Sequence, residues 1–165
     1  MREINCHDIR RGLTKTSDEM EITVRKLQEE DIEVLSRIEA DSFSMPWSAN
    51  AFRDLLLQPY CTYLVALAEG QVVGGCGYTD TCGDANIDNV VVDPAYRNRG
   101  IGNILLGELL KTGRSSGIKA FTLEVRVSNK AAIHLYEKYG FQSEGIRPNF
   151  YEKPREDANI MWLRD

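Results

Sequence analysis

The chain has 165 residues with a net charge of −5, and 42% of them are hydrophobic and 27% charged. That length suits one domain, and the composition excludes a disordered, collagen-like or coiled-coil chain. The acidic balance excludes bulk-charge binding to nucleic acid and suits a basic partner better.

Residues 1–20 are polar and without period, and read as an N-terminal extension; the domain is expected over 21–165. Ile22 and Val24 alternate with Thr23 and Arg25, a strand pattern. Ile32, Leu35 and Ile38 recur at helical spacing behind the acids Glu29, Glu30 and Asp31, which favour a helix N-terminus. Pro46, Trp47 and Ser48 announce a second helix with Ser48 as N-cap, an apolar face of Phe52, Leu55 and Leu56, and Pro59 as its end. Strands are predicted over 62–68 and 71–79, joined by a tight turn at Glu69 and Gly70. Gly83 and Asp84 mark another turn before a strand over 86–92, which Asp93 and Pro94 stop. A long helix starts near Gly100, carries Ile104, Leu105, Leu109 and Leu110, and closes at Gly117. Phe121, Leu123 and Val125 alternate in the next strand. Ser128 is expected to cap a helix that Gly140 ends, and strands over 141–145 and 158–163 complete the chain. The order predicts a mixed α/β domain with one sheet, antiparallel in front and with parallel crossovers behind.

No uncharged apolar run approaches the ~18 residues of a membrane span. The N-terminal stretch has no apolar core segment, so it is not a secretory signal, and the cytoplasm is the default location. Cys6, Cys61, Cys76 and Cys82 form no C-x-x-C pair, and His7 and His134 lie too far apart to join them in a zinc site. No metal is expected. Such sparse thiols suit a reducing compartment.

The turn Arg97-Asn98-Arg99-Gly100-Ile101-Gly102 lies between a strand and an apolar helix. A glycine turn opening a helix offers free N–H groups and the positive end of the dipole to an anion, and the arginines add charge. It is not a dinucleotide fingerprint, because Leu105 stands where a third glycine would be, and no Gly-Lys-Ser/Thr makes it a P-loop. The plain alternative is a solvated turn with two ordinary arginines.

The turn follows Val90-Val91-Val92-Asp93-Pro94, and Leu123-Glu124-Val125-Arg126, Ser128-Asn129 and Leu135-Tyr136 lie downstream. Arg147-Pro148-Asn149-Phe150-Tyr151 and Glu156-Asp157-Ala158 follow, with Pro46-Trp47-Ser48 near the start. Together these resemble the GNAT acetyltransferases, in the branch that acetylates the N-terminal alanine of ribosomal proteins. The resemblance spans 22–163. It implies a sheet splayed between its fourth and fifth strands and flanked by about four helices. It also implies acetyl-CoA as cosubstrate, a protein N-terminus as acceptor, and neither nucleic acid nor membrane as partner. The oligomeric state is left open, with a monomer favoured.

Acetyl transfer to an amine needs a proton removed from nitrogen, a polarised thioester carbonyl and a stabilised leaving thiolate. Glu124 alternates with Leu123 and Val125, so it faces away from them on a strand. The resemblance makes it the general base, where a solvent-facing strand glutamate is the plain alternative. Tyr136 carries a phenol that is protonated at neutral pH and can donate to a thiolate. Asn129 stands seven residues earlier, on the same helix face. The resemblance makes Tyr136 the acid and Asn129 a coenzyme contact, against a packed aromatic. By resemblance alone, the backbone of Val90, Val91 and Val92 holds the coenzyme, as do Arg97, Asn98, Arg99, Gly100, Ile101 and Gly102. Trp47, Arg147, Asn149 and Tyr151 wall the acceptor side on the same ground. Phe150 departs from the family, which commonly has a second tyrosine there. His134 and the cysteines at 61, 76 and 82 read as structural. Six acids between 28 and 41, against Arg37, read as a solvated helix face before a docking patch. Two alternatives stand: a GNAT enzyme for lysines or small amines, and a non-catalytic coenzyme-binding module.

Overall fold

The computed structural model describes residues 20–165. The expected extension therefore lies outside the described residues, apart from Met20, which packs on the core. β1 (Ile22–Lys26) runs antiparallel to β2 (Cys61–Ala68), and β3 (Gln71–Thr81) and β4 (Asp84–Val92) continue the antiparallel half. Glu69 and Gly70 both take positive φ, 49° and 82°, the conformation a two-residue hairpin turn requires.

α1 (Ile32–Ser42) and α2 (Ala49–Leu57) lie between β1 and β2. Ile32, Leu35, Ile38 and Phe52 bury fully against Tyr63, Val65 and Val91 on one face of the sheet. Ser48 caps α2, its hydroxyl accepting the Ala51 N–H at 3.2 Å. α3 (Ile101–Ser115) covers the opposite face, where Leu105, Leu106, Leu109 and Leu110 are fully buried. Burial of that kind contributes about 2 kcal/mol per leucine.

β5 (Ala120–Arg126), α4 (Lys130–Lys138), β6 (Gln142–Glu152) and β7 (Arg155–Arg164) complete a seven-stranded sheet of order β1-β2-β3-β4-β5-β7-β6. The parallel crossovers expected behind the antiparallel half are there, β4 to β5 through α3 and β5 to β6 through α4, although among the described residues only β4 and β5 are hydrogen-bonded in parallel. β6 does run parallel to β5, but β7 turns back and fills the place between them. The last two strands are also longer than 141–145 and 158–163, because Arg147, Tyr151 and Glu152 pair with Ala158, Glu156 and Arg155, with an irregularity between Arg147 and Tyr151. Asn129, not Ser128, caps α4, with Oδ1 accepting the Ala132 N–H at 3.2 Å.

Two irregularities make the site. β4 and β5 pair only at Asp84–Ala120, Ala85–Phe121 and Asn86–Thr122, and then splay. On its other edge β4 bulges: Ile87 faces Tyr78 and Asn89 faces Gly77, which leaves Asp88 without a partner.

Candidate active site

The splay opens into a cleft of about 690 Å³ between β4, β5, α4, the loop before α2 and the turn between β6 and β7. Alternation along β5 sends Phe121, Leu123 and Val125 into the α3-side core and leaves Glu124 on the other face, half-buried. Glu124 lines the cleft, and its carboxylate stands 3.7 Å from the Arg147 guanidinium. Tyr136 reaches the same cleft from α4, its ring 5.7 Å from that of Phe141. Burial pushes its hydroxyl well above the usual phenol value, with small contributions from Cys76 and Tyr151. The phenol therefore stays protonated at neutral pH. Glu124 on β5 and Tyr136 on α4, to which the resemblance assigns base and acid, line one cavity.

Asn129, Val90, Trp47 and Tyr151 also line the cleft. Trp47 packs at 5.5 Å from Phe52 and 6.4 Å from Tyr63, centroid to centroid. Tyr151 lies under the Arg126 guanidinium at 4.2 Å, and Arg126 donates to the carbonyls of Lys153 and Pro154 as well. One side chain of β5 thereby holds the β6–β7 turn over the cleft. The Ser44 hydroxyl donates to the Lys153 carbonyl and joins that turn to the loop before α2. Asn149 is not brought to the cleft. It sits at φ 55°, its N–H donates to Asp157, and its Oδ1 accepts from Arg155 Nε at 3.0 Å.

Beyond the splay, one edge of Val90, Val91 and Val92 pairs with β3 and the other lacks a strand. Gly100 is the N-cap of α3 at φ 78°, and no side chain caps it. A Cβ at Gly100 would meet nothing within 4 Å, and one at Gly102 nothing nearer than 3.8 Å. This is open space in front of unpaired helix N–H groups, and it suits a phosphate. Asn98 helps to make the bend at φ 62°. Arg99 lies over the Tyr96 ring at 5.6 Å. Arg97 turns inward, donating to the Val92 carbonyl at 3.2 Å and the Ser42 hydroxyl at 3.0 Å. It ties the turn to the end of α1.

Three cleft residues escaped the sequence reading. Asp88 is one. Glu39 is another, 1% exposed, accepting from the Asn89 side chain and from the backbone N–H of Trp47. Asn89 is the third. The signal available was the polar pair Asp88-Asn89, two adjacent polar residues that break the polar–apolar alternation of Asp84, Ala85, Asn86 and Ile87. Among the described residues no group of three or more His, Cys, Asp or Glu gathers as a metal site.

The model of the acetyltransferase (GNAT) family matches residues 32–141. A ribosomal protein bS18-alanine N-acetyltransferase of Escherichia coli is 35% identical over 150 residues, covering 86% of this chain and 96% of that protein. An N-alpha-acetyltransferase RimI of Mycobacterium tuberculosis is 35% identical over 152 residues, covering 88% and 94%. The crystal structure of the ribosomal-protein-S18-alanine N-acetyltransferase from Escherichia coli superposes with a TM-score of 0.81 at 32% identity, over 87% of this chain and 94% of that one. The chain belongs to the GNAT family of acetyltransferases and is an N-acetyltransferase of that family.

Proposed function

We propose that the chain moves the acetyl group of acetyl-CoA to the α-amine at a protein N-terminus, and that this acceptor is a ribosomal protein beginning with alanine, as the relatives' names say of them. The observation that carries the reading is the meeting of Glu124 and Tyr136 in one cleft at the mouth of the splay. Enzymes of this family use acetyl-CoA. The open turn at Arg97, Asn98, Arg99, Gly100, Ile101 and Gly102 fits its pyrophosphate, and the free edge of Val90, Val91 and Val92 fits its amides. Asn129 contacts it beside the helix it caps.

Glu124 takes the proton that nitrogen gives up as the C–N bond forms. Tyr136 hands its proton to the departing thiolate, and unpaired backbone groups of β4 polarise the thioester carbonyl. Trp47 and Tyr151 wall the acceptor, Arg147 orients Glu124, and Asn149 shapes β6 from outside the cleft. A narrow wall beside the amine favours a small first side chain, and Phe150 in place of a tyrosine loosens that preference. Work proceeds in the cytoplasm, where ribosomal proteins are made.

The test incubates the protein with acetyl-CoA and three peptides, one starting with Ala, one with Leu and one blocked at its N-terminus with an internal lysine. Mass spectrometry should find acetate on the free Ala N-terminus first. Equal acetylation of the blocked peptide on lysine would replace the reading with a lysine acetyltransferase, and no transfer at all would leave a coenzyme-binding module.

A further inference from the structure

An ammonium sheds two protons on its way to an amide N–H, and Glu124 has room for one. The geometry of the splay offers a second carboxylate. Continuing the parallel register from Asn86–Thr122 by two residues brings Asp88 opposite Glu124, at the first step where the strands no longer pair. Asp88 is also the unpaired residue of the β4 bulge, and bulges re-aim side chains beside active sites. Its carboxylate lines the cleft and is held from behind, Oδ2 by the Thr79 hydroxyl at 2.6 Å and Oδ1 by the Asn86 amide at 3.0 Å.

We infer that Asp88 is a second proton acceptor of the acceptor cleft, which takes the first proton from the incoming ammonium before Glu124 takes the next. This rests on the α-amine reading above. The neutral amine then attacks the thioester carbonyl, the C–N bond forms and the C–S bond breaks. Nitrogen's second proton goes to Glu124, the Tyr136 proton goes to sulfur, and Glu124 returns its proton to Tyr136. Asp88 releases its proton to water, so one proton leaves per turnover, as conversion of an ammonium and a thioester to an amide and a thiol requires. Burial, the largest influence, raises the proton affinity of Asp88; the Thr79 and Asn86 hydrogen bonds oppose it, and Glu124 adds to it. The titratable and charged groups that share the cleft with Asp88 are Glu39 from α1, Glu124 and Arg126 from β5, Tyr136 from α4, Tyr151 and Glu152 from β6, and Lys153 from the turn after β6, with Tyr63 of β2 packed behind.

The experiment measures kcat/KM against pH for an Ala-starting peptide with wild type, Asp88→Asn and Glu124→Gln. Asp88→Asn should lose about 20- to 30-fold near pH 6.5, where only a few per cent of the amine is neutral, and less than about twofold near pH 9, where it is already neutral. A peptide beginning with trifluoroalanine, whose amine is neutral at pH 7, should be used by Asp88→Asn at nearly the wild-type rate. Glu124→Gln should remain slow under both conditions. A deficit of Asp88→Asn that is the same at every pH assigns Asp88 to shaping the bulge and overturns the inference, as does wild-type activity near pH 6.5. If Glu124→Gln keeps full activity, the parent reading of Glu124 falls instead. Thermal melting checks each fold, and Asp88→Ser, which keeps a polar group for Thr79 and Asn86, replaces Asp88→Asn if that variant does not fold.

Discussion

Glu39 is a carboxyl with almost no exposure, and its partners are two donors of uncharged kind, the Trp47 N–H and the Asn89 amide. Burial pushes it up to about 7, against the lowering effect of the Trp47 hydrogen bond. A carboxyl that binds its proton more tightly folded than unfolded supports the folded state fully below its ordinary value of 4.5, and loses that support as pH rises through about 7. Glu39→Gln keeps an oxygen for both donors and has no proton to lose. Its Tm, measured against wild type by calorimetry, should therefore gain steadily from about pH 5 to about pH 8. A constant difference across that range would mean that Glu39 is ionised throughout. Glutamate 39 was not legible in the sequence, because its spacing on α1 suited a solvated face as well as a buried one. Glu124 was legible, because alternation with Leu123 and Val125 settles its face on any strand.

At the scale of elements, local signals and distant pairings separate cleanly. α3 could be read because its leucines repeat at helical spacing and Gly100 stands at its start. The insertion of β7 between β5 and β6 could not, since it depends on which strands meet across the sheet, and every order of the three leaves the same local pattern. The β4 bulge is of the same kind: only pairing with Tyr78 and Gly77 reveals Asp88 as the extra residue. β3 has a further function visible only in three dimensions. Gly75 and Gly77 let the Tyr63 ring lie flat on the sheet, and a Cβ at Gly77 would sit 2.4 Å from Tyr63 Cδ2 and 2.8 Å from the Thr62 carbonyl. Tyr63 in turn packs on Phe52 at 5.4 Å and on Trp47 at 6.4 Å. Gly77→Ala should cost about 1–3 kcal/mol in denaturant unfolding, the usual range for overpacking. It should also raise the peptide KM through Trp47 while leaving acetyl-CoA affinity by calorimetry unchanged. Loss of stability without a change in KM would separate the glycine pair from the acceptor wall.

For the whole molecule the question is how a chain of net charge −5 meets a basic acceptor. The acids at the start of α1 are the obvious candidates, but the structure uses most of them internally. Glu29 and Glu33 bind Arg53 at 2.9 and 3.0 Å, Asp31 binds Arg25 at 2.7 Å, and Glu39 is buried. These groups brace α1 against α2 and β1, and most of their charge is met at short range. Attraction must then come from the net charge and from the carboxylates of the cleft, Asp88, Glu124 and Glu152. Long-range attraction speeds encounter and is screened by salt. The kcat/KM for an Ala-starting peptide with arginines in the following positions should fall as ionic strength rises from about 0.01 to about 0.15 M, and that for an uncharged peptide should not. Replacing Glu29 and Glu33 together by Gln should weaken the salt dependence no more than removing two carboxylates elsewhere, Glu69 on the β2–β3 turn and Glu137 on α4. A markedly flatter dependence in the Glu29/Glu33 variant would restore the helix start as a docking patch, despite its bonds to Arg53.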